Sequence, residues 1–184
     1  MKAMHFTRRT RATEGFLLSV GLLLGGCDDG PAEPEPAPSF EISVSGDVSR
    51  SLEGQQAYFE RTETPASPSW VLSLRLGSAP FVDGIDFLRA SKRPSVGTYA
   101  LYDAALPDLL PPGEFGAFVV LQATGSEPSF IGSATSGTVT ITTSTSSVVR
   151  GNFEFEAAGN IFPAGGAAMS GGATLTGSFE AIPD

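Results

Sequence analysis

From residue 40 onward the apolar residues of this chain recur at every second position, and no stretch of a dozen residues sustains the three-and-four spacing of an amphipathic helix. A period of two sends successive side chains to opposite faces of a pleated strand, so the pattern demands half-buried sheet. Phe40, Ile42 and Val44 alternate with Glu41, Ser43 and Ser45. Trp70, Leu72, Leu74 and Leu76 alternate with Val71, Ser73 and Arg75, the strongest strand signal in the chain. Further strands are expected over Gln55 to Arg61, Gly84 to Arg89, Gly97 to Leu101 and Phe115 to Ala123, separated by Pro, Gly and Ser clusters. Val119, Val120 and Leu121 are consecutive apolar residues, which suggests a strand covered on both faces, although a twisted sheet accounts for them too.

The C-terminal third is the most regular. Val139 and Ile141 alternate with Thr138, Thr140 and Thr142; Ser144 to Ser147 supplies a polar turn; Val149, Phe153, Phe155 and Ala157 then share one face of a return strand. This predicts a hairpin. After a Gly- and Ala-rich connection, Leu175, Phe179 and Ala181 alternate with Thr174, Thr176, Ser178 and Glu180. Gly151-Asn152-Phe153-Glu154 and Gly177-Ser178-Phe179-Glu180 share one residue order, in which a glycine two before an inward phenylalanine leaves room for an aromatic ring from a neighbouring strand or marks a bend. Tyr102 to Pro112 breaks the rhythm and has room for one helical turn before Pro107. The expected fold is all-β, a single antiparallel β-sandwich or β-barrel over residues 40–184.

The N-terminus obeys different rules. Lys2, Arg8, Arg9 and Arg11 precede an apolar run from Phe16 to Leu24, followed by Gly25, Gly26 and Cys27. That is the basic, apolar, small-residue order of an export signal, and the run falls far short of the roughly 20 residues needed to span a bilayer. Leu24-Gly25-Gly26-Cys27 resembles the lipobox of bacterial lipoproteins. The resemblance implies that residues 1–26 are a signal peptide, that cleavage falls between Gly26 and Cys27, and that Cys27 carries the acyl chains that hold the protein in a membrane. Asp28 resembles an inner-membrane retention signal, a rule that does not transfer safely between bacteria, so either membrane stays open. The domain is expected outside the cytoplasm in both cases.

Residues 27–39 then form an acidic tether, with Pro31, Pro34, Pro36 and Pro38 interleaved with acids and small residues. Such composition favours extended polyproline II, and its twelve residues from Asp28 to Ser39 reach roughly 37 Å at about 3.1 Å each. Without residues 1–26 the chain holds 7 Lys plus Arg against 19 Asp plus Glu, a net charge of −12. That balance argues against nucleic acid and anionic lipid as partners. It also holds no histidine, since His5 lies in the signal, and its one cysteine is Cys27. Ser-His-Asp and Cys-His catalysis, His-ligated zinc and intrachain disulfides are thereby excluded, and no cofactor is implied.

Gly97-Thr98-Tyr99, Ser136-Gly137-Thr138 and Gly151-Asn152-Phe153 resemble small uncharacterised β-rich bacterial lipoprotein domains, a likeness that implies fold and address but no substrate. Candidate chemistry is sparse. Glu154 and Glu156 fall on the polar face of one strand, about 6.5 to 7 Å apart, near the spacing of paired carboxylates in glycoside hydrolysis; spacing alone is poor evidence, and a solvated face, which needs only water, is the preferred reading. Asp83 and Asp86 flank a turn as candidate calcium oxygens, without the ligand run of an EF-hand. Tyr58, Trp70, Tyr99 and Tyr102 offer stacking surfaces, with Trp70 expected in the core and Tyr102 exposed. Arg89, Lys92 and Arg93 are the only clustered cations and read as a solvated turn. The expected function is a non-enzymatic binding or structural module of the cell envelope, partnered by the membrane through Cys27 and by an apolar ligand or another envelope protein. The alternative is a carboxylate-dependent hydrolase acting on envelope polysaccharide.

Overall fold

The computed structural model describes residues 36–64, 67–78, 82–103 and 110–184. Gly26, Cys27 and most of the tether therefore lie outside the described residues, as does the helical turn expected before Pro107. Residues Glu35–Asp184 form one compact unit.

Ten strands build that unit, and no helix occurs among the described residues. They are β1 (Ser39–Gly46), β2 (Arg50–Gly54), β3 (Ala57–Thr64), β4 (Ser67–Arg75), β5 (Gly84–Arg89), β6 (Gly97–Asp103), β7 (Phe115–Leu121), β8 (Ser129–Ser144), β9 (Val149–Phe162) and β10 (Met169–Pro183). The alternating segments fold as their pattern dictates. Phe40, Ile42 and Val44 are buried, Trp70, Leu72 and Leu74 are wholly so, and Val119, Val120 and Leu121 are all covered.

The pairings close on themselves. From Ile182 of β10 the register passes to Tyr58, Ser73, Asp86, Phe118, Ser133 and Ala158, and returns to β10 at Gly172. Seven strands thus form a ring, and one circuit displaces the register by ten residues, from 182 to 172. A stagger larger than the strand number requires steep strands, tilted about 45° to the barrel axis. The β1–β2 pair attaches to the edge of β10 that β3 leaves free, and β6 sits likewise beside β8 where β7 diverges. The sheet is antiparallel except for two short parallel contacts, β10 with β3 in the ring and β6 with β7 beside it.

Side chains fill the space enclosed. Phe59 stacks on Trp70 at 5.9 Å between ring centroids, Trp70 meets Phe115 edge-on at 5.9 Å, and Phe115 meets Tyr99 at 5.3 Å. Phe87, Phe153 and Phe155 form a second group, at 5.2 to 6.1 Å. Rings this large fit because glycines face them across the sheet. Phe153 is the register partner of Gly177, Phe179 of Gly151, Phe40 of Gly54 and Phe155 of Gly137. A methyl group at Gly177 would stand 2.5 Å from the Phe153 ring, and one at Gly54 would stand 2.6 Å from that of Phe40. The Gly-x-Phe-Glu order therefore encodes reciprocal pairing: each copy supplies the ring that lies over the other's glycine.

The structure departs from the sequence pattern in three places. Leu76 does not continue the inward row of Trp70, Leu72 and Leu74; it is 40% exposed because β4 ends at Arg75. Strand β2 was invisible in the pattern, since Leu52 is the only buried residue of its five. The Gly- and Ala-rich connection after Ala157 is shorter than expected, only residues 163–168, because β9 runs on to Phe162 and β10 begins at Met169. Backbone crowding explains this last case. A methyl group at Gly159 would stand 2.1 Å from the Ile131 carbonyl oxygen, so the close approach of β8 selects glycine despite its poor strand propensity.

Candidate functional site

At one end of the barrel a single arginine ties three segments together. Arg50 opens β2, and its Nη1 donates to the Gln122 carbonyl at 2.6 Å while Nη2 donates to that of Pro128 at 2.8 Å. The same guanidinium pairs with Asp83 Oδ1 at 3.3 Å, and Asp83 accepts a further bond from the Gln122 backbone N–H at 2.7 Å. With side chains only 10% and 18% exposed, Arg50 and Asp83 are a desolvated clasp between β2, the turn before β5 and the loop after β7. Asp47 adds a second tie at this end, accepting from the Gly172 N–H at 2.9 Å.

Arg75, Arg150 and Arg89 are similarly occupied. Arg75 forms a two-pronged pair with Asp86, at 3.1 and 2.6 Å. Arg150 does the same with Glu180, at 2.7 and 3.1 Å. Hydrogen bonding to Arg150 holds the Glu180 carboxyl below the usual glutamate range; burial opposes this, and the Arg150 charge and the Ala37 backbone add to the lowering. Arg89, expected in a solvated turn with Lys92 and Arg93, instead donates to the Gly113 and Lys92 carbonyls and lies 5.0 Å over the Tyr99 ring and 5.5 Å over that of Phe115. Lys92 itself is exposed.

The expected chemical candidates do not converge. Glu154 and Glu156 are both exposed on the outer face of β9, with Thr138 and Thr176 flanking the first and Ser136 and Thr174 the second. Asp83 and Asp86 each face a different arginine. Trp70 is fully buried, its Nε1 without a hydrogen-bond partner, whereas Tyr102 is 41% exposed. Tyr58 lines a shallow groove of about 350 Å³ with Glu60, Ser73, Arg75 and Asp184. A larger groove of about 520 Å³ crosses the outer face at Glu41, Glu53, Gln55, Arg150, Ser178 and Glu180. Both are open and lined largely by polar groups, so they suit polar contacts at a surface.

One feature escaped the sequence reading. The turn between β9 and β10 carries Phe162, 40% exposed, and Met169, 56% exposed, around Pro163-Ala164-Gly165-Gly166-Ala167-Ala168. Its signal was present: no charged residue occurs anywhere from Ala157 to Phe179. Comparison with protein-family models, with curated proteins and with solved structures found no match to this chain.

Proposed function

We propose that the chain is a lipid-anchored protein of the bacterial cell envelope, held outside the cytoplasm by acyl groups on Cys27 and acting as a non-enzymatic binding or structural module through the outer surface of its barrel. The address rests on the order of basic segment, apolar run and Leu24-Gly25-Gly26-Cys27. The mode of action rests on one observation. Trp70, Phe87, Phe115, Phe130 and Phe155 occupy the barrel interior and are almost completely buried, which favours a surface partner over an apolar ligand held inside. The open grooves on the outer face, lined by Ser, Glu and Gln, suit another envelope protein.

Metabolic labelling with a fatty acid tests the address. The native chain should incorporate label and Cys27→Ser should not, accumulating instead as an uncleaved precursor. A mature protein with an unmodified Cys27 thiol overturns it. For the mode of action, Glu154→Gln with Glu156→Gln should leave partner binding and envelope integrity unchanged. Loss of a polysaccharide-cleaving activity in that variant, with the fold intact, would replace the binding module by the hydrolase.

A further inference from the structure

We infer that the β9–β10 hairpin tip is a second membrane contact, inserting into the interfacial region of a zwitterionic bilayer and laying the barrel down on the lipid; this rests on the lipid anchor proposed above. Met169 is the register partner of inward-facing Ile161, while Phe162 projects from the opposite face, yet both Phe162 and Met169 are exposed. Apolar side chains on both faces of one hairpin suit surroundings that are apolar on both sides, which a bilayer entered at the headgroup and acyl boundary provides and a flat protein surface does not. The tip itself, Phe162 to Met169, holds only apolar and small residues, so nothing charged is desolvated on insertion.

Position and charge choose the occupant. The chain enters the domain through Ser39, paired with Glu180, at the other end of β10 from Met169. The eleven residue steps from Met169 to Glu180 span about 37 Å of strand, or about 26 Å along the axis at the barrel's tilt; the tether ahead of Ala37, whose backbone bonds Glu180, reaches roughly 28 Å. The tip can therefore return to the bilayer that holds Cys27. Asp47, bound to Gly172, and Glu127, two residues before the Ser129 that pairs with Phe162, put negative charge near the hairpin base. Anionic headgroups would be repelled there, so neutral lipid is the favoured surface.

The test uses Phe162→Trp in the mature acylated protein, reconstituted into vesicles of phosphatidylethanolamine and phosphatidylcholine. The native chain has one tryptophan, the fully buried Trp70, so a change in emission on adding lipid reports the new side chain. Emission should shift to shorter wavelength and be quenched by lipids brominated near the headgroup. Adding Met169→Ser should diminish the quenching, and adding Val96→Ser, at an exposed position before β6, should not. Protein that floats with the vesicles but keeps the emission of a water-exposed indole overturns the inference and leaves the anchor standing. Emission shielded only in native envelope membranes overturns it in favour of a protein partner. Protein that fails to float overturns the anchor instead; titrating it with the same vesicles then reads the tip directly, and an unshifted spectrum overturns the inference too.

Discussion

Gly177 and Gly54 hold the same relation to a phenylalanine but differ in what else surrounds them, and that difference is measurable. The nearest atoms a methyl group at Gly54 would meet are in side chains, the Phe40 ring at 2.6 Å and Leu76 Cδ2 at 2.9 Å. At Gly177 it would also meet the Glu41 carbonyl oxygen at 2.3 Å, which cannot swing away. Urea unfolding should therefore show that Phe40→Ala relieves most of the destabilisation caused by Gly54→Ala, whereas Phe153→Ala relieves little of that caused by Gly177→Ala. Phe153→Ala alone should cost about 3 to 5 kcal/mol, and neutralising the exposed Glu154 and Glu156 within about 0.5 kcal/mol. Arg50→Ala strands Asp83 beside an empty site and frees three segments at once. It should cost about 3 kcal/mol by the same measurement, far more than an exposed ion pair would.

Strand β9 is paired along its whole length on both sides, from Val149 to Phe162 against β8 and from Val149 to Ile161 against β10. Its pattern was easiest to read where buried Val, Phe and Ala alternate with exposed Glu and Asn, and hardest over Ala158 to Asn160, where small residues carry no periodic signal. There the neighbours decide: Gly132 and Gly172 bring β8 and β10 close to Gly159 and Ala158. Gly159→Ala should open this end selectively, with faster hydrogen exchange at Ile131 and Asn160 and little change at Val139 or Phe153. Uniform acceleration along β9 would mean that the hairpin opens as one piece. Strand β2 hangs on β1 alone by backbone pairing, so its amides should exchange faster than those of β1.

At the scale of the molecule the ring makes every strand depend on distant ones, and residues 36–184 should unfold in one transition with a far-ultraviolet spectrum free of helix; two separate transitions would contradict it. Acid should weaken the structure in part through Glu180. Its carboxyl is held below the usual range in the folded chain, so its contribution is present above the ordinary glutamate value and is lost as the pH falls through the lowered one. Glu180→Gln should accordingly flatten the acid side of the stability profile, the more so at low salt. The β class, the inward faces of β1, β4, β9 and β10, and the glycine–phenylalanine relation were all legible from spacing, because alternation and burial are local consequences of the pleat. Ring closure, the ten-residue stagger and the Arg50–Asp83 clasp were not. Each depends on which strand lies beside which, over separations such as the 33 residues between Arg50 and Asp83, and a local pattern records what a side chain needs without recording which neighbour supplies it.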